Sequence, residues 1–179
     1  MKKLFVFVGD GGSGKTTLIA ELTKRHPDKF RKVVSCTSRS PRTNEVDGVD
    51  YHFLHATYFM NNPELVLVKQ TDKGDYYGTR KVDLRAGTHN PLLTLRFAGI
   101  HKLVNLGLNN VVIVRISITE DLKIERMRGR GDTEATIVQR LKYDDEDRTG
   151  VNWEGLEIIE LQATDPLAGK VEQIIKACQ

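Results

Sequence analysis

Apolar and polar positions in this chain follow two rhythms. Leu4-Phe5-Val6-Phe7-Val8 is an unbroken apolar run, the pattern of a strand covered on both faces in a parallel sheet. Val111-Val112-Ile113-Val114-Arg115-Ile116 has the same character, and Lys32 to Ser35 and Leu156 to Leu161 read as further strands. Between them the spacing becomes helical. Leu18, Ile19 and Leu22 share one face of a helix that should end near Arg25-His26, because Pro27 follows. Phe97 to Leu106 reads as a second helix. Thr119, with acids at the next two positions, caps a third that runs to about Arg128. Glu134 to about Asp147 is a fourth, and Pro166 to Ala177 closes the chain with Leu167, Val171, Ile174 and Ile175 inward. Strands alternating with helices predict an α/β fold with a doubly wound parallel sheet. Leu65 to Val68 and Tyr76-Tyr77 read as strands of an inserted lobe.

Composition adds bounds. A chain of 179 residues suffices for one domain with a full core and small inserted lobes. Hydrophobic residues at 39% and charged residues at 28% suit a soluble globular protein, and no apolar run approaches the ~20 residues of a membrane span. The N-terminus starts a strand at once, so no signal peptide is expected. Cys36 and Cys178 are far apart, which makes reduced thiols in a cytoplasm the expected setting. A net charge of +3 is too weak to argue for nucleic acid, but it suits an anionic small molecule.

The chemistry starts at Gly9-Asp10-Gly11-Gly12-Ser13-Gly14-Lys15-Thr16-Thr17. The segment fits G-x-x-x-x-G-K-[ST] and lies between a strand and a helix, the setting of a phosphate-binding P-loop. Glycines let the backbone turn and approach a phosphate closely, and the loop and helix N–H groups converge on one anion. Lys15 adds a flexible charge for β- and γ-phosphates, and Thr16 offers a hydroxyl to Mg²⁺. Downstream, Ser35 to Arg42 carries two arginines three apart among several hydroxyls, and Tyr51 follows. Arginine binds phosphate through a planar fork of donors, so this stretch suits a second phosphate site.

The run Ser35-x-Thr37-Ser38-Arg39-Ser40-Pro41-Arg42-x-x-Glu45-x-x-Gly48-x-Asp50-Tyr51-x-Phe53 resembles the signature of the guanylate kinases. His26-Pro27-Asp28-Lys29-Phe30, Gly74 to Thr79, and Glu120-Asp121-Leu122 leading to Arg126, Gly129-Arg130-Gly131 and Arg140-Leu141 are also similar to that family. The resemblance implies a single P-loop nucleoside monophosphate kinase domain over residues 1–179. Its core would span 1–34, 90–128 and 141–179, its monophosphate-binding lobe 35–89 and its lid 129–140. It implies that Gly9 to Thr17 hold ATP with Mg²⁺ on Thr16. Ser35, Arg39, Arg42, Tyr51, Tyr77 and Thr79 would hold the monophosphate. Arg126, Arg130 and Arg140 would close on ATP, with Lys15 and Arg39 completing the catalytic set.

The base pocket departs from the family. Val68 stands where guanylate kinases carry a guanine-reading glutamate, and Thr94 and Arg96 stand where two aspartates are expected. Guanine N1–H and N2–H₂ need acceptors. Valine offers none and Arg96 only donors, although Arg96 suits carbonyl groups. The expected substrate is therefore GMP, dGMP or another nucleotide, modified ones included. The expected partners are small nucleotides rather than nucleic acid or a membrane, in a cytoplasmic monomer or homodimer. A ribose-phosphate kinase of the same superfamily also needs no guanine acceptors. A non-catalytic guanylate kinase-like binding module would not need the intact Gly14-Lys15-Thr16, and a GTPase switch would carry an Asn-Lys-x-Asp motif that is absent here. Asp144-Asp145-Glu146-Asp147 reads as a solvated helix end and Trp153 as packing.

Overall fold

The computed structural model describes residues 2–85 and 87–179. Its larger sheet has five parallel strands: β1 (Leu4–Val8), β2 (Phe30–Lys32), β7 (Asn90–Thr94), β8 (Val111–Ser117) and β9 (Glu157–Gln162). Their order is β2-β7-β1-β8-β9. The apolar run of β1 is buried at every position and pairs with β7 on one side and β8 on the other. This central place is why it reads as continuously hydrophobic.

Helices cover both faces. On one, α1 (Lys15–Arg25) and α5 (Leu167–Lys176) pack Leu18, Leu22, Val171 and Ile174 against Phe5, Phe7 and Val114. On the other, α2 (Ile100–Val104) sets Ile100 and Leu103 against Val6, Leu93 and Ile113, with Trp153 packed alongside. Phe97 meets Trp153 edge to face at 6.1 Å. The remaining helices, α3 (Glu120–Gly129) and α4 (Glu134–Arg148), each start on a threonine whose hydroxyl accepts a first-turn N–H, Thr119 from Leu122 and Thr133 from Thr136.

A second sheet is built from β3 (Cys36–Thr37), β4 (His52–Phe53), β5 (Leu65–Gln70) and β6 (Tyr76–Arg80), in the order β4-β3-β6-β5. Cys36, Phe59 and Leu65 form its small core.

Two element boundaries and one burial reading differ from expectation. The second strand covers Phe30–Lys32 rather than Lys32 to Ser35, because pairing with β7 starts at Phe30↔Asn90. The helix expected from Phe97 opens as a 3₁₀ turn over Phe97–Gly99, and α2 ends at Val104. Asp144 and Asp147 are buried, so the end of α4 is not simply solvated.

At the end of β1 the chain passes so close to β8 that a Cβ on Gly9, at φ 151°, would lie 2.5 Å from the Ile116 carbonyl oxygen. The Ile116 backbone cannot give way, and the Ser13 hydroxyl would lie only 2.9 Å from the same Cβ. Gly9→Ala should therefore cost about 3 kcal/mol of stability, read as a lowered midpoint in urea denaturation.

Candidate active site

The loop after β1 turns into α1 through Gly14, a left-handed N-cap at φ 95°. Lys15 Nζ donates to the carbonyls of Gly9 and Asp10, each at 2.7 Å, and lies 3.3 Å from Ser13 Oγ. Burial lowers the Lys15 amine to about 8, against the opposing pull of the Asp10 and Asp144 carboxylates. Arg126 on α3 closes the far side. Its Nη1 donates to the Gly12 carbonyl at 2.7 Å and its Nη2 to Ala163 O at 3.4 Å. The exposed side chain of Thr16 stands in the first turn of α1. Among the described residues no group of three or more His, Cys, Asp or Glu could hold a metal. One hydroxyl in that setting fits Mg²⁺, a cation that keeps several waters and completes its shell with phosphate oxygens.

Asp10 does not face the loop's interior. Its carboxylate meets Lys123 Nζ at 3.3 Å and Arg148 at 2.9 Å. Lys123, only 1% exposed, also meets Asp144 at 2.6 Å. Asp144 accepts from the Gly11 N–H at 3.4 Å and from Arg96 at 3.3 Å, and Arg96 Nε lies 3.2 Å from Asp147. Asp147 in turn accepts from the Phe97 and Ala98 N–H groups. This cluster ties the phosphate loop, α3, α4 and the end of β7 together. Sequence reading passed over Lys123 and Arg148 and took Asp144 and Asp147 for a solvated helix end. A signal existed in spacing: Asp144 and Asp147 are three apart on one helical face, and Lys123 shares the inward face of α3 with Met127.

The second cationic site lies on the smaller sheet. Arg39 Nε donates to Tyr77 Oη at 3.1 Å, and its guanidinium lies 5.1 Å from the centre of the Tyr51 ring. Glu45 holds the same guanidinium through two bonds, at 2.6 and 2.7 Å, and also accepts from the Arg42 N–H at 2.8 Å. Hydrogen bonds from Arg39, then Arg42, hold the Glu45 carboxyl down to about 2, while burial pushes the Tyr51 phenol up. The Arg42 side chain is exposed, Thr79 is buried in β6, and Ser35 lies at the entry to β3. Arg130 and Arg140 both reach Asp132, at 2.6 and 2.9 Å, in the turn before α4.

Val68 is not brought to the Tyr77 face. A bulge between Val66 and Lys69, with Leu67 at φ 57°, inserts one residue into β5. Val68 consequently packs on the opposite face, beside Gly78 and Phe59. Lys69 becomes the cross-strand neighbour of Tyr77, and its amine reaches Tyr143 Oη on α4 at 3.1 Å. Arg96 stacks on the same tyrosine, its Cζ 3.9 Å from the ring centre.

The family model described as guanylate kinase matches residues 1–151. A guanylate kinase of Schizosaccharomyces pombe is 35% identical over 150 residues, 79% of this chain and 73% of its own. A guanylate kinase of Chlamydia felis is 39% identical over 101 residues, 49% of this chain and 46% of its own, so that match spans about half of the relative's length. A crystal structure of guanylate kinase from Anaplasma phagocytophilum superposes with a TM-score of 0.67 at 20% identity, covering 98% of this chain and 83% of that one.

Three outcomes follow from the electrostatics. Lys123→Met leaves Asp10 and Asp144 buried without their shared cation, so urea denaturation should show a loss of roughly 3–5 kcal/mol. Arg128→Ala breaks an exposed pair with Glu134 and should leave the midpoint unchanged. Lys15 loses its proton as pH rises through about 8 in the free protein, whereas a bound phosphate keeps the proton on. Calorimetric affinity for a nucleoside triphosphate should therefore fall by roughly tenfold per pH unit above 8, and in Lys15→Arg the fall should disappear.

Proposed function

The chain belongs to the guanylate kinase family, and from that membership we propose that it is an ATP-dependent nucleoside monophosphate kinase. It moves the γ-phosphate of ATP to GMP, dGMP or another (deoxy)nucleoside monophosphate. The observation that carries this reading is the pair of separate cationic cradles: Lys15 with the glycine loop and Arg126, and Arg39 with Tyr51 and Tyr77.

Transfer between two phosphates brings anions together. At ~4 Å and an effective dielectric near 20, each pair of unit charges repels by about 4 kcal/mol. The cations offset that repulsion. Lys15 would leave the Gly9 and Asp10 carbonyls for the β- and γ-phosphates, while Arg126, fixed to Gly12, lines the donor side. Arg130 and Arg140 would turn from Asp132 toward the donor as the turn closes, excluding water. Mg²⁺ held by Thr16 would neutralise charge on the phosphate being transferred. Arg39 would share its fork between Glu45 and the acceptor phosphate, with Arg42 and the Tyr51 and Tyr77 hydroxyls beside it. A phosphate monoester is largely dianionic near pH 7, with a second pKa of ~6, so it attacks without a side-chain base. Small nucleotides as partners and a cytoplasmic location go with this role. No helix among the described residues is long and apolar enough to cross a membrane.

An ADP-release assay over a panel of ribo- and deoxynucleoside monophosphates tests the reaction, and no turnover with any member would defeat it. Lys15→Ala should lower kcat by at least about a hundredfold while the chain stays folded. Arg39→Ala and Arg42→Ala should raise KM for the monophosphate far more than KM for ATP. Equal effects on both would remove these arginines from the acceptor side.

A further inference from the structure

The bulge in β5 creates a feature that the acceptor reading does not use. It sets Lys69 beside Tyr77, on the face that carries Arg39 and Tyr51. A monophosphate anchored at Arg39 and Tyr77 would extend its nucleoside along this face toward Tyr143. There two cations meet one aromatic ring. Lys69 Nζ is 5.3 Å from the Tyr143 ring centre and hydrogen-bonds its oxygen, and the Arg96 guanidinium lies 3.9 Å from the same centre.

Arg96 is oriented by its carboxylate partners, through Nη2 to Asp144 and Nε to Asp147. Its Nη1 donors make no hydrogen bond among the described residues, and its side chain remains 43% exposed. The Lys69 amine is exposed and has three donors, one of which is used on Tyr143. Lys102 occupies the Val68 carbonyl, which removes one nearby backbone acceptor. The polar groups seen against Tyr143 are thus the donors of Lys69 and Arg96, with the phenol oxygen as an acceptor beside them.

Such a site reads carbonyl oxygens. Guanine presents one carbonyl and two N–H donor groups on its pairing edge, and both donors would face cations here. A 2,4-dioxopyrimidine presents two carbonyls flanking a single N–H, two acceptors for two cations and one donor for the phenol oxygen. We propose that the Lys69–Tyr143–Arg96 group is a base-reading site that selects a nucleoside monophosphate with a dioxopyrimidine base, of the uracil or thymine kind, over GMP. This inference rests on the acceptor-site reading above and narrows its substrate. A polar site that leaves ligand donors unpaired discriminates strongly.

The test is the kcat/KM ratio of dTMP or UMP to GMP with ATP as donor. The wild-type chain should favour the dioxopyrimidine at least tenfold. Lys69 is exposed and lies outside the buried ion cluster, so Lys69→Glu should keep the fold. That change supplies an acceptor and should lower the ratio at least tenfold, while KM for ATP stays within twofold. Lys69→Ala should give an intermediate ratio. A wild-type preference for GMP, or a ratio untouched by Lys69→Glu, overturns the inference and leaves the kinase reading standing. Should no monophosphate be turned over, the kinase reading falls. Calorimetric binding of dTMP against GMP then decides the pocket, and equal or GMP-favoured affinity overturns this proposal too.

Discussion

The buried amine of Lys123 is the constraint on which the rest of the active-site architecture depends. An unpaired ammonium at 1% exposure would be untenable in a protein interior. It is held by two carboxylates that come from opposite directions, Asp10 in the phosphate loop and Asp144 in α4. Those carboxylates need further partners of their own, which Arg148 and Arg96 provide, and Asp147 closes the set. Three acids and three bases balance, so the cluster adds no net charge beside the phosphate loop. The positive field there belongs to Lys15 and Arg126. α4 is docked on the loop through charge more than through apolar area: Ile137 is the hydrophobic residue it buries.

The same logic recurs at five of the cations assigned to phosphate, the exposed Arg42 being the exception. Lys15 rests on its own loop carbonyls, Arg126 on Gly12, Arg39 on Glu45, and Arg130 and Arg140 on Asp132. None of these charges waits in a free rotamer. In the proposed reaction the incoming phosphates substitute for internal acceptors already in position, so less side-chain entropy is lost at binding.

Much of the fold was legible in the chain. The run Leu4–Val8 could be read because a central parallel strand is apolar at every position. The P-loop was legible because its glycines and Lys15 are local, and Thr119 because a cap is a local device. What failed was non-local. Asp144 and Asp147 look like a solvated acidic run until Lys123 and Arg96, distant in sequence, are seen to face them. The spacing of the family's motif, nine residues before Tyr77, put Val68 at the base, but a spacing in sequence does not show which face of a strand a residue takes. The bulge at Leu67 shifts the register by one and hands that face to Lys69. Arg96 was read from the sequence as a residue of donors only. Its stacking on Tyr143 could not be seen, because it depends on how α4 is docked.

The ion cluster also bears on how this chain can drift over generations. Positions 10, 123 and 144 share one buried charge network, so a change at one alone leaves the others short of a partner. Passage to a neutral interior is easiest through paired or triple replacements, because each single step costs stability. Descendants with an apolar residue at 123 should therefore carry uncharged residues at 10 and 144, and the docking of α4 would then pass from ion pairing to ordinary hydrophobic contact.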